Sequence, residues 1–366
     1  LEVASNIIAA NLQRKPKNLW TENEIGVPVA VVETYSEDEE AQFVVGEIEK
    51  LVNNGAHLRD CAIMYRVNAQ SRALEEAFMR YGVPYRLVGG IRFYQRREIK
   101  DIIAYLRVIH NPSDNISLTR IINVPSRGIG QRTLAELSAW ARNQSISLYD
   151  ATKMVSAKKG PGFATRITYA LTNFFDLMEK LRKKSGELRL LDLIDRLVEA
   201  TGYQEYLLSQ ENGEDRWENI LELRGVAEEY SGLSHKEALA TFLEKVTLVS
   251  DVDELDEKTD AVTLITLHQA KGLEFPVVFI VGMEEGVLPH RKSFDDPEQL
   301  EEERRLCYVG VTRAQKQAYL LRAFRRSLLG GSSINPPSRF LKDIPPDLVT
   351  IKGFWEEDKL TPVAPS

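Results

Sequence analysis

The feature that most constrains the fold is an alternation of strand and helix signals that a long helical stretch interrupts. Before residue 108, strand-like runs alternate with amphipathic helical patterns, and after residue 260 strand-like runs return. Between these two positions the pattern is nearly all helical. The strand-like runs are 28–35, 61–66, 84–89, 261–268, 276–283 and 317–324. The alternation predicts a parallel β-sheet covered by helices.

We therefore predict one α/β domain formed by residues 1–107 and 261–344. An all-helical subdomain, residues 108–260, is inserted into it, and residues 345–366 are left as a C-terminal tail. The alternative is a chain of three consecutive domains. It is disfavoured because residues 261–344 contain too few strands for a doubly wound sheet of their own.

Composition sets the broad class. The 366 residues carry a net charge of −7, which argues against nonspecific polyanion binding by the whole surface, although residues 86–107 are locally basic. No run is long enough to span a membrane. The two cysteines, Cys61 and Cys307, lack metal-ligand spacing and are expected to be buried thiols in a reducing cytoplasm. We expect no metal site in this chain.

Charged groups are concentrated in the segment HQAKGLEF, residues 268–275, between two apolar runs. Ligand-binding loops in α/β folds follow the carboxyl ends of strands, and this segment follows one. Lys271 could offset phosphate charge, Gly272 allows close backbone approach, and Glu274 could accept hydrogen bonds from sugar hydroxyls. A surface ion pair between Lys271 and Glu274 explains the residues equally well.

Three further segments carry candidate contacts. Arg313, in a predicted helix at 301–317, is suited to a phosphoryl group, although a solvated basic face is the simpler reading. Asn68 follows a strand and opens a helix. Its side chain could contact a backbone phosphate there or could simply cap the helix. The turn Gly128–Gly130, flanked by Arg127 and opening another helix, resembles the hairpin of a helix-hairpin-helix.

Absent motifs exclude several classes of protein. No GxxxxGK[ST] segment is present, so the chain has no phosphate-cradling P-loop of its own. No GxGxxG follows a strand, which argues against a dinucleotide-binding enzyme. Neither HExxH, CxxC nor GxSxG occurs. Any nucleotide chemistry would therefore need a second domain.

Five segments in this order resemble the later motifs of the UvrD/PcrA/Rep family of DNA helicases. The resemblance implies a RecA-like parallel sheet with helices on both faces, interrupted by a 2B-type helical subdomain. These helicases bind ATP between two RecA-like domains, of which this chain resembles the second. The P-loop and the Mg²⁺ ligands are then expected in a first domain outside this chain. The segments are residues 70–75, 88–107, 263–290, 301–315 and 336–345.

The resemblance also implies roles for individual residues. Glu274 would hold the ATP ribose, Arg313 would be the arginine finger, and Lys271 with Gly272 would lie beside the nucleotide. Single-stranded DNA would be contacted by four residues and duplex DNA by a second set. The single-strand residues are Arg66, Asn68, His268 and His290, and the duplex residues are Arg127, Gly128, Ile129, Gly130 and Thr133.

The resemblance implies the second half of an ATP-driven 3′→5′ DNA helicase, acting as a cytoplasmic monomer on a junction of single and double strands. Alone, the chain is not expected to hydrolyse ATP. The alternative is a non-catalytic DNA-binding or regulatory module. The family often has a base-contacting aromatic near residue 329, where this chain has Leu329.

Overall fold

The computed structural model describes residues 1–12, 20, 26–250, 259–328 and 331–353. The chain divides into two compact units. The sheet unit comprises Leu1–Phe93 and Asp253–Ser366, and the helical unit comprises Tyr94–Val252. Leu329 lies outside the described residues. Each unit has its own hydrophobic core, as expected for domains of this size.

The secondary structure of the described residues is as follows. The strands are β1 (Val29–Thr34), β2 (Cys61–Tyr65), β3 (Tyr85–Leu87), β4 (Val262–Thr266), β5 (Phe275–Ile280), β6 (Ala314–Ala323), β7 (Arg325–Leu328), β8 (Gly331–Ile334) and β9 (Val349–Gly353). The helices are α1 (Glu2–Ala9), α2 (Glu37–Asn53), α3 (Ser71–Arg80), α4 (Arg97–His110), α5 (Asn115–Ile121), α6 (Gln131–Asn143), α7 (Leu148–Ser156), α8 (Thr165–Lys184), α9 (Leu190–Thr201), α10 (Tyr203–Leu208), α11 (Gly213–Glu228), α12 (His235–Ser250) and α13 (Pro297–Thr312).

The sheet unit is built on a seven-stranded sheet in the order β3-β4-β2-β5-β6-β1-β9. All of its strand pairs are parallel. The predicted α/β class with a parallel, RecA-like sheet is confirmed. β7 and β8 form a separate antiparallel hairpin. The seventh strand, β9, lies within residues 345–366, which the sequence pattern predicts to be a tail. A strand of five residues that pairs only with β1 carries a weak sequence signal.

Helices cover both faces of the sheet. On one face, α2 and α3 contribute Val44, Ile48 and Phe78 to a core that includes Ile63 of β2. On the other face, α1 and α13 pack against the next residue of β2, Met64. Successive side chains of a strand point to opposite faces, so a strand buried on both sides reads as continuously apolar. That is the pattern of CAIMY in β2.

Local signals place the helices. Ser36 caps α2, its hydroxyl accepting a hydrogen bond from the Glu39 amide at 3.3 Å. Four acidic residues in the first turn of α2 suit the positive end of the helix dipole. Asp296 caps α13 in the same way, and Pro297 occupies its first position. These caps agree with the amphipathic pattern that predicts the helices.

The helical unit contains α4 to α12. Its core includes Leu137, Phe174 and Ile220, each 1% exposed or less. Asp101 of α4 is buried and accepts hydrogen bonds from Tyr203 Oη at 2.8 Å and Arg120 Nε at 2.7 Å. The unit begins at Tyr94 rather than at the predicted residue 108, because α4 packs against α5, α11 and α12.

Candidate functional site

The parallel sheet has two distinct edges. At the carboxyl edge, where strands end, β4 is followed by the segment 267–274, which we call the charged loop. This loop begins beside β2, with the Leu267 amide donating to the Tyr65 carbonyl at 2.9 Å. It ends at the amino edge, where the Phe275 amide donates to the Arg313 carbonyl at 2.9 Å. The charged loop therefore runs back past the whole of β2, whose four residue steps alone span roughly 13 Å.

This path divides the predicted residues of the charged loop between the two edges. His268 lies at the carboxyl edge, as expected for a segment that follows a strand. Glu274 lies at the amino edge, directly before β5, so the expectation that the whole segment sits beyond the strand ends is wrong for that residue. The reason is topological, because a parallel strand must be entered from its amino end and the connection to β5 has no helix.

The amino edge brings Arg313 and Glu274 together. Arg313 Nη1 donates to the carbonyl of Leu273 at 3.1 Å, and Gln315 Nε2 lies 3.4 Å from Glu274 Oε2. Arg313 also donates from Nε to the Val309 carbonyl at 3.2 Å. Its guanidinium is thus folded back against backbone at the end of α13. A carboxylate and a guanidinium therefore lie at one edge. A carboxylate can accept hydrogen bonds from sugar hydroxyls, and a guanidinium can donate to phosphate oxygens.

Lys271 and Gly272 lie in the exposed middle of the charged loop. Gly272 has φ of +92°, in the left-handed region that favours glycine. A Cβ atom built on Gly272 would meet no atom within 4 Å. The glycine is therefore required by the backbone conformation, and the space beside it is open to an approaching group.

The carboxyl edge contains a more compact cluster. Arg66, directly after β2, presents Nε at 2.9 Å from both carboxylate oxygens of Glu303 and Nη2 at 2.6 Å from Oε1. Glu303 Oε2 also accepts from the backbone amide of His290 at 3.0 Å. Asn68 is exposed next to Arg66 along the chain. The structure thus brings two predicted DNA-contacting residues, Arg66 and His290, onto one carboxylate.

The His290 ring is held in its neutral form. The residue is 5% exposed, and burial, together with the positive charge of Arg66, lowers the pKa of the imidazole to about 4. His290 Nδ1 lies 3.4 Å from the Lys292 amide, which donates to it. An uncharged imidazole in this position accepts a hydrogen bond at Nδ1 without adding positive charge to the cluster.

Helix α13 joins the two edges. Glu303 lies in its first half at the carboxyl edge, and Arg313 caps its other end at the amino edge. Between them, Gly310 allows close packing, since a Cβ there would lie 2.5 Å from Leu267 Cδ2 and 2.9 Å from Ile280 Cδ1. A single rigid element therefore connects the two clusters across about 15 Å.

A buried ion cluster at the carboxyl edge was not predicted. Arg326 of β7 donates from Nη2 to Glu40 at 2.6 Å and to Glu284 at 2.7 Å. Glu284 is 0% exposed and also accepts from the Ala323 amide at 2.7 Å. Burial raises the pKa of Glu40. The cluster ties the β7–β8 hairpin to the ends of β5 and β6.

In the helical unit, the predicted hairpin precedes α6. Gly128 has φ of +77°, and Gly130 is the N-cap of α6; both are exposed, whereas the Ile129 side chain is 2% exposed. The Asn123 carboxamide oxygen accepts from the amides of Arg127 and Ile129 at 2.8 and 3.1 Å. The hairpin is therefore a defined turn that presents backbone rather than an apolar side chain. Thr133 is half-buried in the first turn of α6.

Arg127 contributes to this turn from the inside. Its Nη1 donates to the carbonyls of Ile121 and Pro125 at 3.0 and 3.1 Å, and its Nη2 donates to Tyr105 Oη at 2.6 Å. The guanidinium also lies 5.3 Å from the centre of the Phe174 ring. The side chain is thus bonded within the helical unit.

Two further kinds of feature do not occur among the described residues. Within those ranges, no three or more His, Cys, Asp or Glu side chains are grouped so as to hold a metal ion. Among the helices of the same residues, none is long and apolar enough to cross a membrane.

Comparison with known proteins agrees with this geometry. A family model, the UvrD-like helicase C-terminal domain, matches residues 1–323. The chain is 43% identical over 370 residues to the ATP-dependent DNA helicase PcrA of Bacillus subtilis (strain 168), covering 99% of this chain and 50% of that protein. It is 42% identical over 371 residues to PcrA of Staphylococcus aureus (strain Mu50), covering 100% and 50%. The chain spans about half the length of these relatives, and it belongs to the UvrD-like helicase C-terminal domain family.

Proposed function

We propose that this chain is the second motor half of an ATP-driven DNA helicase that moves 3′ to 5′ along a single strand. The observation that carries the proposal is the pairing of two clusters on one sheet. Arg313 and Glu274 share the amino edge, Arg66 and His290 share the carboxyl edge, and α13 connects them. Nucleotide chemistry at one edge could then be coupled to strand contact at the other.

At the amino edge, the residues fit one side of an ATP site. The Glu274 carboxylate would accept hydrogen bonds from ribose hydroxyls, and Lys271 would offset phosphate charge. The chain has no P-loop, so the phosphates and Mg²⁺ would be held mainly by a first RecA-like domain. This chain alone would then not turn over ATP.

Arg313 would act as an arginine finger. In the structure its guanidinium donates to the carbonyls of Leu273 and Val309. Exchanging these neutral acceptors for charged phosphate oxygens would give shorter, stronger hydrogen bonds. A guanidinium placed there would stabilise the charge that develops on the transferring phosphoryl group.

DNA would meet the carboxyl edge and, separately, the helical unit. Arg66, Asn68, His268 and His290 would contact the backbone of the single strand. In the helical unit, the exposed turn of Gly128 and Gly130, with Thr133, would present amides and a hydroxyl to a duplex phosphate. The first set would contact the single strand, and the second set would contact the duplex.

Arg127 would support this turn from within. Its donors are engaged by Ile121, Pro125 and Tyr105, so its part would be to hold the hairpin rather than to contact the phosphate. Ile129, with its side chain buried and its amide bonded to Asn123, would likewise hold the turn from within.

The test is Arg313→Ala in the intact helicase that contains this chain. We expect DNA-stimulated ATP hydrolysis to fall about a thousandfold or more, because finger arginines contribute effects of that size. Arg305→Ala, on the same helix but in an exposed ion pair with Glu302, is the matched control and should retain turnover. ATP hydrolysis that persists in the Arg313 variant would remove the finger role.

One observation favours a second candidate, a non-catalytic DNA-binding module. The carboxyl-edge cluster and the hairpin are each formed entirely within this chain. Filter binding of the isolated chain to forked DNA, repeated across salt concentrations, distinguishes the candidates. Tight, salt-sensitive binding by the isolated chain would support the module. The net charge of −7 leads us to expect weak binding.

A further inference from the structure

We propose that Glu303 is a positioning residue for single-stranded DNA. Its buried carboxylate holds the Arg66 guanidinium and the backbone at His290 in the arrangement that a strand of phosphates would meet. The inference rests on the proposed DNA contact at the carboxyl edge, and it assigns a role to a residue that has no part in the contacts proposed above.

The contacts of Glu303 are those of an organising group. Its side chain is 6% exposed, and it receives donors from two other segments of the chain. Arg66, which directly follows β2, is 237 positions away, and the His290 amide closes the loop after β5. Glu303 itself is in α13. One carboxylate therefore fixes three elements at the same point on the carboxyl edge.

Burial gives this arrangement its specificity. A desolvated carboxylate is tolerated only when charged or polar donors satisfy it, so Glu303 constrains the position of Arg66 strongly. Arg66 remains 20% exposed at its side chain. Because Nε and Nη2 face Glu303, the opposite edge of the planar guanidinium, at Nη1, is the one that a phosphate oxygen would approach.

Positioning and simple electrostatics predict opposite effects when the charge of Glu303 is removed. A carboxylate close to a DNA strand repels it, so its neutralisation should strengthen binding if charge alone mattered. If Glu303 positions Arg66 and His290, neutralisation should weaken binding even though a repulsive charge is gone. The sign of the change therefore separates the two explanations.

The experiment uses fluorescence anisotropy of the intact helicase that contains this chain, at low salt, with a labelled oligodeoxythymidylate of about 16 nucleotides. We expect Glu303→Gln to raise the Kd about 5- to 10-fold, which is the effect of one ordinary hydrogen bond. Glu302→Gln is the matched control, since it removes the same charge from an exposed position one residue away. It should leave the Kd unchanged or slightly lower.

A second variant keeps the test valid if Glu303→Gln folds poorly. Arg66→Lys retains the positive charge but loses the planar fork that Glu303 holds, and we expect the same rise in Kd. In the double variant the two effects should not add, because both act through one contact. Thermal melting of each variant separates loss of affinity from loss of fold.

The outcomes are distinguishable. If wild type binds and folded Glu303→Gln has an equal or lower Kd, the positioning role is overturned while the DNA contact stays in place. An unchanged Kd in Arg66→Lys would do the same. No binding by wild type at low salt would contradict the proposed DNA contact of this edge, and the positioning role with it.

Discussion

The two edges of the parallel sheet are organised differently. At the carboxyl edge, Glu303 and Glu284 are buried and paired with arginines of the same chain. At the amino edge, Glu274 is exposed and Arg313 is folded against backbone carbonyls, while Lys271 is exposed in the middle of the charged loop. One edge is complete by itself, whereas the other presents polar groups at the surface.

The difference follows from the energetics of charge burial. A buried carboxylate without partners would destabilise the fold by several kcal/mol, so such groups are retained where the chain supplies every partner. An exposed charged group is solvated by water, so it needs no partner in its own chain and can bind another molecule. A site shared with a second domain is therefore expected among exposed polar residues. A site that is preorganised within one chain is expected among buried ion pairs.

The largest expected effect comes from breaking the buried cluster. Arg326→Ala leaves Glu40 and Glu284 buried without their cation, and we expect the free energy of unfolding to fall by about 3–5 kcal/mol. Guanidinium chloride denaturation followed by circular dichroism measures this change. Arg305→Ala removes an exposed ion-paired arginine and should cost less than about 1 kcal/mol. Equal losses in both variants would erase the contrast between buried and exposed pairs.

The next effect depends on pH at the same edge. Burial lowers the pKa of the His290 imidazole in the folded chain from its ordinary value of 6.5 to about 4. The stability that this neutral ring contributes is therefore present above pH 6.5 and is lost as the pH falls from 6.5 towards 4. The loss amounts to about 3 kcal/mol at most.

Urea denaturation of wild type and His290→Asn across this pH range isolates the contribution of the ring. The difference between the two free energies of unfolding should be constant above pH 6.5 and should change only below it. A difference that does not depend on pH would show that burial of the ring does not disfavour its charged form.

The smallest effect tests the element that joins the edges. In Gly310→Ala, the new methyl group would meet Leu267 and Ile280 at 2.5 and 2.9 Å, and we expect destabilisation by about 1–3 kcal/mol. Gly46→Ala, in the middle of α2, meets no atom within 4 Å and should stabilise the fold by about 0.5–1 kcal/mol. Thermal melting should show shifts of opposite sign; a stabilised Gly310 variant would contradict close packing of α13.

The sequence predicts much of the architecture, because the relevant signals are local. Alternating apolar runs and amphipathic patterns indicate the sheet and its helices, and Ser36 marks the start of α2. The candidate residues at both edges could be proposed because they lie in recognisable segments. Strands β7, β8 and β9 are exceptions, since each has only four or five residues and carries little contrast with its surroundings.

The partners of these residues could not be predicted, because they depend on tertiary contacts. Arg66 and Glu303 are 237 positions apart, and Arg326 and Glu40 are 286 apart. Neither pair has a spacing rule that links its members. The path of the charged loop along the sheet also required strand order, which periodicity does not contain. Glu303 was visible in the segment EEERRL, but nothing local distinguishes it from Glu301 and Glu302.

The close contact at Gly310 has a mechanical consequence. Glu303 lies seven residues before this point and Arg313 three residues after it, along one continuous helix. At about 1.5 Å per residue, Glu303 and Arg313 lie about 10 and 5 Å from Gly310 along the helix axis. If α13 tilts about Gly310, Glu303 moves about twice as far as Arg313 and in the opposite direction.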